Sequence, residues 1–213
     1  FNPTDRSLLG DRHDNGYATL VRIKHPYTEW NQIVTLPYGQ VLTDLDISPD
    51  GKRVSATMEE IDSKQYLRVY SMETLLGGAP EAVAQFDFGT AVPEGFVFSP
   101  DGRFLFGSSY YTGVSNLFRF EIATSEIKAI TNAETGYFRP IPQPDGTLLA
   151  LKYSGTWFVP TILKVEPLEG DWSRALGVQY GDNTAFSVAA NLGKKSLAVD
   201  LKSGRQMKPT FAL

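Results

Sequence analysis

Aromatic and acidic residues recur in the polar stretches between the apolar runs of this chain of 213 residues. Tyrosine and tryptophan side chains beside carboxylates are typical of a surface that binds a peptide or a basic protein. Each residue also has a simpler explanation, because aromatic rings pack against neighbours and exposed acids need no partner. The candidate binding residues are Asp11, His13, Asp14, Tyr38, Glu60, Asp62, Tyr110, Tyr111, Tyr137, Tyr153 and Trp157.

Asp11, His13 and Asp14 are the residues whose types could hold a divalent ion. Their spacing does not fit a calcium loop, which needs acids at alternate positions and a later glutamate. The chain has only 2 histidines and no cysteine, so a thiolate zinc site is excluded. Turn residues ahead of Gly16 explain the stretch without a metal. We therefore predict neither a metal nor a cofactor.

The familiar motifs of catalysis do not occur in this sequence. The stretch GSSYYTG at 107–113 lacks the spacing of a serine-nucleophile elbow. The stretch LGKKS at 192–196 lacks the earlier glycine and the residue order of the phosphate-binding motif G-x-x-x-x-G-K-[ST]. Glu59 and Glu60 are adjacent, so on a strand they would face opposite ways. Acid pairs contributed by distant segments stay open, and we predict a protein that is not an enzyme.

Composition points to one globular domain. Hydrophobic residues make up 42% and aromatic residues 12% of the chain, which fits an ordinary all-β protein with a sizeable core. The formal net charge of -4 gives no attraction to nucleic acid or to anionic lipid. No run approaches the ~18 apolar residues of a membrane-spanning helix. We therefore predict no nucleic-acid partner and no membrane insertion.

One phrase recurs along the chain: an apolar residue, a small polar residue, a Pro-Asp-Gly turn and an apolar run. It reads ISPDGKRVSA at 47–56, FSPDGRFLFG at 98–107 and PQPDGTLLAL at 142–151. A weaker copy, FNPTDRSLLG, stands at 1–10, and a degraded copy begins at Phe186. A period of about 45 residues indicates an array of supersecondary units.

Each repeat predicts four short strands, named A to D. Proline presets φ, aspartate caps the turn and glycine accepts a positive φ, so the turn joins strands A and B. Residues 8–23 align without a gap on residues 105–120, which places strand C after a polar loop. A basic residue recurs on strand C. One interpretation is a ring of positive side chains that binds an acidic ligand, but we favour a structural role, in which each side chain covers apolar surface or pairs with a carboxylate. These residues are Arg22, Arg68, Arg119 and, one residue displaced, Lys164.

Four antiparallel strands in about 45 residues are typical of a β-propeller blade. We predict an all-β fold, a β-propeller of four-stranded antiparallel blades, with about four to five blades in one domain covering 1–213. The connection at 71–82 is predicted to be a surface loop. The blade repeats are 1–35, 41–88, 93–131, 136–177 and 182–213.

The phrase FSPDGR, followed by a strand, a polar loop and the run LFRFEIATSEIKAIT, resembles the TolB-like (PD40, WD40-like) propeller repeat. The resemblance covers nearly the whole chain and departs from the pattern at 154–180, where the usual turn before strand D is missing. It implies a six-bladed ring and a periplasmic or cell-envelope location. A repeat of this kind identifies a fold more firmly than a function.

An open fan of four to five blades would expose sheet edges, which is an aggregation hazard. Three arrangements remain open. The chain is a fragment of a larger propeller, or it closes as a small ring, or two chains self-associate through open sheet edges. In the small ring, residues 182–188 would lie beside residues 5–10 as strand A of the first blade.

The leading functional hypothesis is a non-catalytic TolB-like propeller that acts as a scaffold for a protein or peptide partner. The B–C and D–A loops of a propeller converge on one face, which is the expected binding surface. One alternative is an accessory propeller domain of a larger hydrolase of the prolyl-oligopeptidase type. Another is binding of a small ligand or sugar in the central channel, with Trp157, Tyr110 and Tyr111 as platforms.

Overall fold

The computed structural model describes residues 1–166 and the short pieces 179–180, 183–184, 188–189 and 195–198. Strands dominate the described residues, and a short helix, α1 (Met72–Leu76), lies between two of them. Residues 188–189 are also helical. In chain order the strands are β1 (Leu8–Asp14), β2 (Tyr17–Ile23), β3 (Trp30–Thr35), β4 (Val41–Ile47), β5 (Arg53–Glu59), β6 (Gln65–Ser71), β7 (Ala82–Asp87), β8 (Pro93–Phe98), β9 (Phe104–Ser109), β10 (Asn116–Glu121), β11 (Glu126–Ala129), β12 (Tyr137–Pro142), β13 (Thr147–Tyr153), β14 (Phe158–Glu166), β15 (Gln179–Tyr180), β16 (Asn183–Thr184) and β17 (Lys195–Ala198).

The first three repeats form antiparallel sheets whose strands follow one another in chain order. Strands β4-β5-β6-β7 make the second blade and β8-β9-β10-β11 the third. The first blade has the order β1-β2-β3, and within the described residues β1 pairs only with β2. The predicted all-β architecture of four-stranded blades is confirmed by the second and third sheets.

The fourth sheet departs from the antiparallel pattern at its outer edge. Strands β12, β13 and β14 pair as strands A, B and C, but the outermost strand is β17, which runs parallel to β14. In the third blade the short turn 122–125 returns the chain directly from strand C to strand D. The sequence after Glu166 lacks that turn, so a segment from further along the chain occupies the edge. Residues 167–177 of the predicted fourth blade lie outside the described residues.

The predicted fifth blade and the predicted ring closure fall mostly outside the described residues. Within 182–188, residues 183–184 pair with 179–180 in a two-stranded hairpin, and these four residues form no strand pairing with β1. The remaining residues of the predicted closing strand are not among those described. The number of blades in the whole chain therefore stays a prediction.

The Pro-Asp-Gly turns have the geometry that their sequence predicts. In the third blade Asp101 accepts hydrogen bonds from the Ser99 hydroxyl, at 2.6 Å, and from the backbone N–H of Arg103, at 3.1 Å. Gly102 adopts a φ of 69°, which residues with a side chain rarely tolerate. These contacts hold the pKa of Asp101 down to about 2, with the Ser99 hydrogen bond as the largest cause.

The connection between β6 and β7 is not simply a surface loop as predicted. It begins with helix α1, and the helix buries Met72 and Leu75 in the core between the first and second blades. Two apolar side chains at a spacing of three residues share one helix face, so even one turn of helix can cover a sheet. The following residues, Gly77 to Glu81, are exposed or half-buried.

Each blade packs one apolar face against the next blade. Three successive cores lie between the first and second, the second and third, and the third and fourth blades. Because successive side chains of a strand point to opposite faces of the sheet, each blade can contribute apolar side chains to the cores on both of its sides. Buried members of the three cores include Leu20 and Val54, then Leu67 and Phe96, then Leu117 and Leu148.

Side chains of one blade also hydrogen-bond to the inner strand of the next. Thr57 donates its hydroxyl proton to the carbonyl of Pro93 at 2.8 Å, and Asp46 accepts from the backbone N–H of Phe98 at 2.8 Å. Burial raises the pKa of the Asp46 carboxyl, although the Phe98 hydrogen bond opposes the rise. The inner strands β4, β8 and β12 contact one another in succession. Within the described part of the chain no helix is long and apolar enough for a membrane span.

Candidate functional site

The loops predicted to form a binding face do lie at a common end of the blades. In an antiparallel blade strand A starts, strand B ends, strand C starts and strand D ends at the same end of the sheet. The segments at that end in the second to fourth blades are 36–40, 60–64, 88–92, 110–115, 130–136 and 154–157. We call this end the loop face.

Asp11, His13 and Asp14 lie on strand β1, and the loop predicted for them shrinks to the Asn15–Gly16 turn. Side chains alternate along a strand, so His13 pairs with Asp11 while Asp14 pairs with Arg12 at 3.3 Å. The three candidate metal ligands therefore do not point to one place. In the part of the chain that the structure describes, no three acidic or histidine side chains converge as a metal site would require.

Tyr38 is highly exposed and lies over the tip of the first blade. Its ring meets Tyr17 edge-on at 5.5 Å and covers Gly16, where an added Cβ would come within 2.6 Å of the ring. Ile61 lies over Gly39 in the same way. Tyr38 therefore belongs to a small exposed apolar group above the first and second blades.

Glu60 and Asp62 have structural partners in the second blade. Glu60 pairs with Arg68 at 2.8 Å and accepts a hydrogen bond from Gln40 at 2.6 Å. Asp62 accepts from the backbone N–H of Lys64 at 3.2 Å, a contact that stabilises the turn. These contacts account for Glu60 without a ligand, and they leave Asp62 a turn residue on the loop face.

Tyr110 and Tyr111 are neighbours with different surroundings. The ring of Tyr111 meets Phe88 at 5.5 Å and Phe118 at 6.3 Å, so it is anchored in the core between the second and third blades. Tyr110 meets Phe138 at 6.2 Å and is exposed over half of its surface. Tyr111 is itself 46% exposed, so a partner can reach both rings, but it is Tyr110 that contacts Phe138 in the fourth blade.

Aromatic rings continue from Tyr110 across the loop face of the fourth blade. Phe138 meets Phe158 at 5.3 Å, and Phe158 meets Tyr153 at 5.3 Å. Trp157 follows in the B–C turn and is 73% exposed, and Phe158 is 56% exposed. We call Tyr110, Phe138, Tyr153, Trp157 and Phe158 the aromatic strip.

Tyr137 is only 4% exposed and does not contribute to the loop face. It lies in the core between the third and fourth blades, and its carbonyl accepts a hydrogen bond from the Ser115 hydroxyl at 2.8 Å. Burial raises the pKa of its phenol. Phe138, its neighbour, faces outward instead. Phe138 and Phe158 were missed by the sequence prediction, although alternation along the strand shows that Tyr137 and Phe138 cannot both face the same way.

The basic residues of strand C do not form a regular ring. The strand registers place Arg22 and Arg119 at the same position, whereas Arg68 is displaced by one residue and so faces the other side of its sheet. Arg22 pairs with Asp5, and the guanidinium of Arg119 lies 4.7 Å from the centre of the Phe104 ring. Burial lowers the pKa of Arg119. These contacts agree with the predicted structural role.

No protein-family model matches the chain, and no curated protein matches it in sequence. Among solved structures it is similar to TolB from Acinetobacter baumannii, with 12% identity and a TM-score of 0.58 over 92% of this chain and 48% of that one. A putative TolB from Agrobacterium tumefaciens matches with 17% identity and a TM-score of 0.56 over 76% of this chain and 57% of that one.

A third similar structure is prolyl oligopeptidase B from Galerina marginata, with 12% identity and a TM-score of 0.56 over 77% of this chain and 24% of that one. The chain spans about half the length of the two TolB structures. At these identities the likeness concerns the fold. The chain has a TolB-like propeller fold.

Proposed function

We propose that this chain is a non-catalytic propeller module that binds a protein or peptide partner through its loop face. The observation that carries the proposal is the aromatic strip. Aromatic side chains that combine a large apolar area with little flexibility dominate the energy of protein interfaces. Exposed Tyr110 and Phe158 form a row of ring contacts with half-buried Phe138 and Tyr153. Trp157, which is exposed, precedes Phe158 in the chain.

The polar groups beside the aromatic strip hydrogen-bond within the chain. The Tyr153 hydroxyl donates to the carbonyl of Gly155 at 2.6 Å, and the Thr135 hydroxyl donates to the carbonyl of Tyr153 at 2.5 Å. Such bonds hold the loops around the aromatic strip in place before a partner binds, which lowers the entropic cost of binding.

The TolB-like fold also supports an envelope location for the protein. This part of the proposal rests on the fold alone. Fractionation of cells that express the protein from its own gene tests it. Recovery with periplasmic markers is the expected result, and recovery with cytoplasmic markers alone would contradict it.

Selection of linear peptides from a display library on the full chain tests the binding proposal. We expect selected peptides to lose at least tenfold in affinity for Trp157→Ala, because a central aromatic anchor contributes about 2 kcal/mol or more. Trp30→Ala is the matched control. Trp30 is also exposed, but it begins the outer strand β3 of the first blade, at the end of the blade opposite the loop face.

Two results would contradict the proposal. One is that no peptide is enriched over a display background without the protein. The other is that Trp157→Ala and Trp30→Ala bind the selected peptides as tightly as the wild type. A change in thermal midpoint of either variant shows whether a loss of binding reflects a loss of fold.

A second candidate function is an accessory propeller in a larger hydrolase. Its support is the similarity in fold to prolyl oligopeptidase B. The match covers 24% of the prolyl oligopeptidase B chain. The sequence of the complete reading frame separates the two candidates. A hydrolase domain with a serine elbow in the same frame would favour the second candidate, whereas further propeller repeats behind a signal peptide would favour the first.

A further inference from the structure

The three inner strands of the second to fourth blades share a bulge at the same repeat position. The pairing of each with its neighbour shifts by one residue between Thr43 and Asp46, between Glu94 and Val97, and between Phe138 and Ile141. The residue that opens each bulge has a positive φ: 51° at Asp44, 58° at Gly95 and 48° at Arg139.

The side chains at this position meet at the glycine. Asp44 Oδ2 accepts a hydrogen bond from the backbone N–H of Gly95 at 2.9 Å. The stem of Arg139 passes on the other side, since a Cβ added to Gly95 would lie 3.6 Å from Arg139 Cγ. A carboxylate and a guanidinium side chain therefore flank a residue without a side chain, and backbone can approach a ligand closely at such a residue.

Both charged groups are exposed on the innermost strands. Neither Asp44 nor Arg139 takes part in an ion pair within residues 1–166. The bond to Gly95 uses one carboxylate oxygen of Asp44 and leaves Oδ1 for another donor. A negative and a positive side chain thus flank Gly95 and form no ion pair with each other.

The bulge itself does not need these residue types. A left-handed conformation costs of order 1–3 kcal/mol for a residue with a side chain, and glycine avoids that cost. The third blade has glycine at this position, which shows that the bulge forms without a side chain. Arginine is among the bulkier residues that could stand there, so the fourth blade carries a strained residue that its fold does not require.

We propose that Asp44, Gly95 and Arg139 form a binding site for a zwitterion, either a free α-amino acid or a short peptide with free ends. Asp44 receives the ammonium group, and the planar guanidinium of Arg139 receives the carboxylate through paired hydrogen bonds. Gly95 lets the ligand backbone lie against the inner strand. The site lies on the inner strands and does not depend on the aromatic strip.

Calorimetric titration of the full chain with three probes tests the site. The probes are L-phenylalanine, trialanine, and trialanine with an acetylated amino end and an amidated carboxyl end. We expect one of the first two to bind and the blocked peptide to bind at least tenfold more weakly. Binding of L-phenylalanine alone assigns the site to amino acids, and binding of trialanine assigns it to peptide ends.

Two variants attribute the binding to named side chains. Asp44→Asn removes the charge but keeps a hydrogen-bond acceptor and a residue type that tolerates positive φ. Arg139→Gln removes the charge and keeps part of the stem. Each should weaken binding of the zwitterion at least tenfold, while Arg103→Gln, a change of an exposed arginine in the Pro-Asp-Gly turn of the third blade, should leave it unchanged.

The proposal is overturned if neither zwitterion binds, or if the blocked peptide binds as well as the free one. It is also overturned if Asp44→Asn and Arg139→Gln bind like the wild type. Should a variant lose stability, which its thermal midpoint reports, the comparison of free and blocked probes on the wild type still decides the outcome.

Discussion

Glycine is required in this chain wherever a neighbouring ring lies directly on the backbone. At Gly107, on strand β9, an added Cβ would come within 2.2 Å of the Phe96 ring. Gly10 has the matching place in the first blade, where the nearest atom would be Val21 Cγ2 at 3.9 Å. Two glycines that match in sequence therefore have different structural demands, because only the third blade packs a phenylalanine from its inner strand there.

The first prediction follows from this contrast. Gly107→Ala should lower the free energy of unfolding by about 2 kcal/mol, since overpacking a filled core typically costs 1–3 kcal/mol. Gly10→Ala should cost little, because its Cβ meets only ordinary contact distances. Urea unfolding of both variants measures the difference. Equal midpoints for the two variants would show that Phe96 does not lie on Gly107.

A second prediction concerns acid stability and Asp101. The folded pKa of about 2 lies below the ordinary 3.8, so the charged carboxylate stabilises the fold above pH about 4. This stabilisation disappears as the pH falls towards 2. The carboxylate is partly exposed, so we expect only about 1 kcal/mol at neutral pH after allowing for solvent screening.

Asp101→Asn tests the pH dependence, because it removes the charge and keeps an acceptor for Ser99. The difference in unfolding free energy between wild type and variant should be largest above pH about 4 and shrink towards pH 2. Asp50→Asn, at the same place in the second blade, should behave alike, since the Ser48 hydroxyl lowers the pKa of Asp50 as well. A difference that does not change with pH would contradict the argument.

At the scale of strands and turns, the repeated phrase predicted the hairpins because the Pro-Asp-Gly chemistry is local. The residue roles in β1 were not predicted, although the sequence held the signal. Asn15–Gly16 is the pair that a two-residue hairpin turn prefers, and both residues have positive φ, 51° and 80°. Reading that turn correctly would have placed Asp11, His13 and Asp14 on a strand and split them between its two faces.

Replacement of a turn glycine gives the third prediction. Gly102→Val should cost more than ~1 kcal/mol, because a β-branched residue tolerates a φ of 69° poorly. Gly10→Val is the control and should cost less, because Gly10 has no positive φ and an added Cβ would meet only Val21 Cγ2, at 3.9 Å. Thermal unfolding compares the two. A midpoint of Gly102→Val equal to that of the wild type would disprove the turn geometry.

For the molecule as a whole, the blade pattern was predictable from the period, but the faces of the blades were not. The fourth blade shows an apolar surface that no periodicity revealed. Ile141, Leu149 and Ile162 stand side by side across β12, β13 and β14, and all three are exposed. In the described structure the opposite face of the same sheet is buried against the third blade. We call these three residues the aliphatic row.

A fourth prediction is that the aliphatic row promotes self-association, since exposed apolar patches of this kind mark interaction surfaces. Sedimentation velocity of the full chain should show mass increasing with concentration. Leu149→Lys should reduce the increase, while Val83→Lys, at an exposed position on outer strand β7, should not. A chain that stays monomeric would contradict this prediction. Association that Leu149→Lys does not affect would contradict it as well.

The claim at the centre of this account is that a TolB-like propeller fold presents a peptide-binding surface at its loop face. The most direct test is a nitrogen-15 correlation spectrum of the full chain, titrated with a peptide from the display selection. The account predicts that the largest shifts occur at the amides of residues 110–112 and 153–158, around the aromatic strip. Largest shifts at the turns 49–53 and 100–103, at the opposite end of the blades, would contradict it.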